Sequence, residues 1–151
     1  MTQLFRPIRT LLGLLLRRPI LGTSIIPLMP DGRVVLIRRR DTGKWGLPGG
    51  IVDWGEDIPQ AAARELAEET GLRLLGVERL VGIYSDTERD PRFHSVCVAL
   101  AAQVDGTFSI RDVAEVLSVQ AFKVDEIPHG DLAHDHDKQL QDYLNGATVL
   151  A

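Results

Sequence analysis

The chain has 151 residues, 44% of them hydrophobic, a net charge of −4 and an isoelectric point near 5.5. That balance suits one domain with one sizeable core and argues against a nucleic-acid partner, which calls for a basic face. The only cysteine, Cys97, lies in the apolar run HSVCVALAA, which excludes an internal disulfide and a cysteine zinc cluster. It reads as a small buried hydrophobe, and the default setting is reducing and cytoplasmic.

Residues 1–19, with LFRPIRTLLGLLLRRPILG across their end, read as an N-terminal amphipathic helix. Arg17 and Arg18 interrupt the apolar run, which falls short of the roughly 20 residues that span a bilayer. Its roles are packing or homodimer formation, or else contact with a membrane surface. ILGTSIIPLMP and RVVLIRRR then read as two strands joined at Pro30-Asp31-Gly32, followed by a glycine-rich loop from Asp41 to Gly50. A helix is predicted near Ile58 to Thr70: Asp57 and Gln60 have capping-box spacing, Pro59 fits the first turn and Gly71 the C-terminal cap. Ala62, Leu66 and Ala63 form its core face, while Ala61, Glu65, Glu68 and Glu69 face a different direction. RLVGIYS and HSVCVALAAQV read as strands around the polar loop DTERDPRF, and EVLSVQAFKV as another strand with a turn at Asp125 to Pro128. HDHDKQLQDYLNG reads as a closing helix. Strands and helices mix without strict alternation, which predicts an α+β domain over residues 1–151 with a mixed sheet between helices.

The stretch RELAEETG, from Arg64 to Gly71, puts Glu65, Glu68 and Glu69 at i, i+3 and i+4 on one helix face. Like charges at those spacings destabilise an isolated helix by roughly 0.2–0.5 kcal/mol per pair, and no lysine or arginine four residues on relieves them, because Leu72 and Arg73 fall at or past the helix end. A cation is the natural counterweight. Mg2+ takes oxygen ligands in near-octahedral geometry and keeps waters and substrate phosphates. Three carboxylates facing a loop opened by Gly46, Gly49 and Gly50 form such a half-cage. Arg64 and Glu56, opposite in charge, are read as tying loop to helix and holding the glutamates. A solvated acidic helix face lacks intrahelical partners here, and a calcium loop would need alternating oxygen ligands that are absent.

From Gly50 the chain reads glycine, five residues, Glu56, seven residues, then RELAEETGL. This resembles the signature of the Nudix hydrolases at Gly50, Glu56, Arg64, Glu65, Glu68, Glu69 and Gly71, with Leu66 and Leu72 at its apolar positions. The resemblance covers residues 50–72. It implies an α/β/α sandwich and Mg2+-dependent hydrolysis, with Mn2+ as the alternative ion, of a nucleoside diphosphate linked to another moiety. Water attacks a phosphorus atom while cations neutralise the diphosphate oxygens. Glu65, Glu68 and Glu69 are implied as metal ligands, one of them able to orient or deprotonate the water, with the Gly49 carbonyl joining the shell. Relatives often add an acidic residue from a later loop; IRDVAEVLS offers Asp112 or Glu115, while Ser118 stands where many have a second glutamate.

Among Arg38, Arg39 and Arg40, strand alternation sends only one or two toward a bound phosphate; Arg39 is the candidate, with Gly50 approaching the substrate. Trp45 either stacks on a base or closes the loop over the core. His134 and His136 diverge at i+2 on a helix, so they read as an acidic helix start beside Asp135 and Asp137 and not as a metal pair.

The run YSDTERDPRFH, Tyr84 to His94, resembles one found in the ADP-ribose pyrophosphatases of the Nudix family, with Thr87 in place of a proline. It implies Arg89 and Arg92 as phosphate or ribose contacts and Asp86 or Asp90 as acceptors from ribose hydroxyls. The bland reading is a polar hairpin whose arginines pair with its own aspartates. ADP-ribose, cleaved to AMP and ribose 5-phosphate, is therefore the expected small-molecule substrate. Oxidised nucleoside triphosphates and dinucleoside polyphosphates are alternatives within the class, and a non-catalytic nucleotide-sensing domain is the alternative outside it.

Overall fold

The computed structural model describes residues 17–151. The reading of residues 1–19 as a helix lies outside the described residues through position 16; Arg17–Pro19 form a turn that leads into the first strand. The elements are β1 (Ile20–Leu28), β2 (Val34–Arg39), β3 (Trp45–Gly46), β4 (Gly49–Ile51), α1 (Ile58–Thr70), β5 (Arg73–Tyr84), β6 (Ser95–Asp105), β7 (Val116–Phe122), a 3-10 turn (Val124–Glu126), α2 (His136–Leu144) and β8 (Val149–Leu150).

The strands form one mixed sheet in the order β3-β2-β1-β6-β5-β8, with β4 also pairing β1 and β7 pairing β2. β1 and β6 run parallel from Ile20↔Ser95 to Leu28↔Gln103, while β5 and β6 are antiparallel. Alternation along the strands divides the core. Ile26, Leu36, Cys97, Ala99 and Ala101 pack with Leu140 of α2. Ile25, Leu100 and Ala102 pack with Ala62 of α1, and Val35 and Val104 with Leu66. Among the described residues one helix therefore covers each face, the expected α/β/α arrangement.

The edge of β1 changes partner along its length. Gly22, Thr23 and Ser24 pair with Ile51, Gly50 and Gly49 of β4, whereas Leu28 pairs with Val34 of β2. This fork brings the glycine loop against both the sheet and α1.

Helix α1 starts and stops where its cap residues predict. The Asp57 carboxylate accepts from the Gln60 amide at 2.8 Å, and the Gln60 side chain accepts from the Asp57 amide at 2.9 Å. Gly71 ends the helix with a left-handed φ of 78°. Its second face departs from expectation. Ala61 and Glu69 are buried with Ala62 and Leu66, because β4 and its glycines lie across that side. β5 starts at Arg73, earlier than RLVGIYS suggests; its first half is exposed, so no apolar alternation marks it. β4 and β8 are too short to carry a periodic signal.

Candidate active site

The glutamates on α1 sit in unlike surroundings. Glu69 is 1% exposed, and its Oε2 accepts from the Gly49 amide at 2.8 Å. Its other oxygen, Oε1, is buried with no hydrogen-bond partner. Burial, with Glu65 and Glu115 nearby, raises its pKa to about 8 despite the Gly49 amide and Arg39. Glu65 is also pushed up, first by burial and then by Glu68 and Glu115, against the pull of Arg64. Glu68 is the exposed member, its side chain 43% accessible.

The loop can come this close only because of its glycines. A Cβ on Gly50 would collide with the Glu65 carboxylate, and one on Gly49, at φ 155°, with the Thr23 carbonyl. Gly46 has a different neighbour: a Cβ there would press on the His136 ring. Gly46 therefore makes room for packing.

Arg64 is the hub that the sequence suggested, with a wider reach. It holds Glu56 through two bonds of 2.7 and 2.9 Å, donates to the Ile51 carbonyl at 3.1 Å, and donates to Glu65 at 2.7 Å. It also lies 3.6 Å from Glu68, its i+4 neighbour. The repulsion on this face is thus relieved from upstream. The Arg64 bonds, then the Asp53 amide, hold the Glu56 carboxyl at a pKa of about 2, so it stays ionised.

Two carbonyls near the end of α1 hold the loop that returns an acidic residue to this face. Ser109 donates to the Thr70 carbonyl at 2.9 Å, and Arg111 and Asp112 donate to the Glu68 carbonyl at 2.9 and 3.0 Å. Asp112 is used within the loop, its Oδ1 accepting from the Glu115 amide at 3.2 Å. The charge of Glu115 raises both Glu65 and Glu69. Glu115 is therefore the better placed of the two distal candidates.

Beyond the glycine loop lies a cavity of about 110 Å³, bounded by Gly49, Gly50, Arg39, Asp90, Arg92, Phe93, His134 and His136 among others. Arg39 reaches it while held bidentately by Asp41 at 2.8 and 3.0 Å. Arg92 faces it half-exposed, paired with Asp90 at 2.8 and 3.0 Å. Burial pushes the Asp90 carboxyl up, but the Arg92 bonds outweigh it and leave the pKa at about 2.

Two of the expected substrate contacts sit elsewhere, and a third, Arg89, borders the cavity with its side chain already engaged. Trp45 packs edge-on against Phe122 with Arg38 over its ring, away from this cavity, which favours closing the core over stacking on a base. Asp86 caps the Glu88 amide at 2.8 Å and borders a separate groove beside Lys138. Arg89, although it touches the cavity, is spent: its side chain is 7% exposed, Asp135 accepts two of its bonds at 2.9 Å, and Ser95 accepts the third. The bland reading of that loop holds for Arg92, which pairs with the loop's own Asp90, but not for Arg89, whose partner Asp135 lies outside the loop.

His134 and His136 do not diverge. A left-handed backbone at His134, φ 53°, breaks the helical spacing; the rings approach to 5.6 Å and both border the cavity. The HDHD string, read as a polar helix start, concealed them.

Among the described residues, no three His, Cys, Asp or Glu side chains already converge as a metal shell. The donor set nevertheless fits a hard divalent cation. Glu69 Oε1 is a buried acceptor lacking a donor, and neighbouring carboxylates crowd it with like charge. Glu65, Glu68 and Glu69 are the residues that would hold the ion.

Comparison with known proteins agrees with this geometry. A family model described as the NUDIX domain matches residues 18–143. An ADP-ribose pyrophosphatase of Methanocaldococcus jannaschii is 35% identical over 117 residues, covering 76% of this chain and 67% of that protein. A putative 8-oxo-dGTP diphosphatase of Bacillus subtilis is 29% identical, covering 83% of this chain and 80% of that protein. The fold matches the NUDIX domain of Shewanella oneidensis NrtR, solved with ADP ribose, at TM-score 0.77 and 24% identity over 97% of this chain and 99% of that one.

Proposed function

The chain belongs to the NUDIX hydrolase family, a family of pyrophosphohydrolases, and from that premise we propose that it cleaves ADP-ribose to AMP and ribose 5-phosphate with Mg2+ bound at Glu65, Glu68 and Glu69. The observation that carries the metal reading is the partnerless, buried Glu69 Oε1 beside two further carboxylates. Bound Mg2+ supplies charge neutralisation on the diphosphate and activation of a water.

The residues do the rest. Arg64 holds Glu65 in place and ties the helix to the loop through Glu56 and the Ile51 carbonyl. The Gly49 amide fixes the orientation of Glu69. Glu115, near both glutamates, is the candidate to take a proton from the attacking water. Water adds to one phosphorus, the bridging P–O bond breaks, and the leaving phosphate departs on the other product. Arg92 and Arg39, both at the cavity wall, supply donors for phosphate or ribose oxygens.

The choice of ADP-ribose rests on the resemblance of residues 84–94 and on the Methanocaldococcus relative. The Bacillus relative supports a second reading, an oxidised nucleoside triphosphate. Product analysis on a panel of ADP-ribose, nucleotide sugars, oxidised nucleoside triphosphates and dinucleoside polyphosphates, with and without Mg2+, tests both. AMP and ribose 5-phosphate from ADP-ribose support the first; hydrolysis confined to triphosphates replaces it with the second. Tight binding without turnover of any substrate would make the domain a sensor.

A further inference from the structure

The residues that start α2 do more than begin a helix. His136 is buried, and its Nδ1 accepts from the Leu47 amide at 3.0 Å. That bond requires a neutral ring with its proton on Nε2, consistent with the depression of its pKa to about 3 by burial and by neighbouring His134, Arg39 and Arg89. Leu47 leads directly into Pro48, whose carbonyl accepts from Ile25 at 2.8 Å, and into Gly49, whose amide holds Glu69. One residue earlier, Asp135 accepts both arms of Arg89 and also the Gln139 amide at 3.0 Å. Gln139 is fully buried and accepts in turn from Ser24 at 2.5 Å, and Ser24 pairs with Gly49 in the sheet. The left-handed backbone at His134 precedes these two adjacent side chains, which address different loops, a strained conformation for a residue with a Cβ.

We propose that the turn into α2 is a two-armed positioning device: His136 sets the Leu47–Gly49 backbone that orients Glu69, and Asp135 sets the residue 85–94 loop through Arg89. The first arm governs metal affinity and turnover, the second substrate affinity. The second arm rests on the substrate reading given above; the first does not.

The test compares His136→Leu, which removes the acceptor, with His136→Asn, which keeps one near the Nδ1 position, and with Asp135→Asn. Mn2+ affinity is measured by electron paramagnetic resonance without substrate, and kcat and KM on the hydrolysed substrate. His136→Leu is expected to weaken Mn2+ binding by about tenfold or more, the scale of a lost supporting contact at a metal site, with KM little changed. His136→Asn should recover most of the loss. Asp135→Asn, which keeps the Oδ1 that accepts from Gln139 but loses the charge and second oxygen that hold Arg89, should raise KM while leaving Mn2+ affinity as in the parent. Unchanged Mn2+ affinity in His136→Leu, or equal effects of both substitutions on both quantities, would overturn the proposal. If His136→Leu does not fold, His136→Gln, with its acceptor displaced, takes its place under the same two outcomes. A parent that leaves ADP-ribose intact refutes the substrate reading alone, and the Mn2+ measurement still decides the first arm.

Discussion

The two sides of the cavity treat charge in opposite ways. On the α1 side acceptors are in excess: Glu69 has an oxygen without a donor, Glu65 and Glu115 act on it with like charge, Glu68 acts on Glu65, and among the described residues Arg64 and Arg39 offset them. On the opposite side the charges are matched. Arg92 is held by Asp90, Arg89 by Asp135 and Arg39 by Asp41. The first side stores electrostatic strain that a cation would relieve, whereas the second is a braced wall whose arginines are oriented before any ligand arrives. The proposed function thereby assigns chemistry and recognition to different sides, and substitutions on each side should have different signatures.

The largest effect is expected on the acceptor-rich side. Glu69→Gln should lower kcat by about 10²-fold or more, the scale of losing a key electrostatic group. It should leave the fold intact and the metal-free Tm unchanged near neutral pH and raised at higher pH, since Gln matches the uncharged form that the raised pKa of Glu69 favours. Near-parent turnover at saturating Mg2+ would break the comparison.

Next comes Gly50→Ala, which drives a methyl group into the Glu65 carboxylate. Turnover should fall by about tenfold or more, as for a disturbed supporting contact, with little change in KM. A rise in KM alone would place Gly50 on the recognition side instead.

On the braced side, Arg92→Ala should raise KM by about tenfold, near the value of one charge-assisted bond. Because it also frees the buried Asp90, the double variant Arg92→Ala/Asp90→Asn separates the two causes: persistence of the KM defect assigns it to the lost arginine donors. Full recovery would mean that Arg92 only braces Asp90.

The smallest effect is in stability against pH without metal. Glu69 has a folded pKa of about 8 against 4.5 for the free group, so the native state holds a proton that the unfolded state has lost. Its contribution is present at low pH and falls away as pH rises through that interval. His136, depressed to about 3 from 6.5, works oppositely, adding stability as pH rises to 6.5. Of these two groups only Glu69 acts above 6.5. Metal-free Tm should therefore decline between pH 6.5 and 8, and Glu69→Gln should flatten that decline.

How much of this was readable in the chain depended on distance along it. The limits of α1 follow from Asp57, Gln60 and Gly71, which act within one turn, and the pairing of Arg64 with Glu56 spans a single loop. The burial of Glu69 was not legible, because the strand that covers it, β4, is three residues long and has no periodicity. Arg89 looked like a free phosphate donor because its partner, Asp135, is 46 positions away. The role of His136 was hidden for the same reason: its acceptor nitrogen meets Leu47 across 89 positions. Caps and motifs are local chemistry, whereas braces and burial come from topology.

The claim that the α1 face is built to take a cation is tested most directly by calorimetric titration of Mn2+ into the metal-free protein at pH 7.5, repeated in buffers of different ionisation enthalpy. Glu69 must give up its proton to become a ligand, so saturable binding should release protons, and Glu69→Gln should bind more weakly without that release. Absence of saturable binding, or binding with the same proton release in Glu69→Gln, would contradict it.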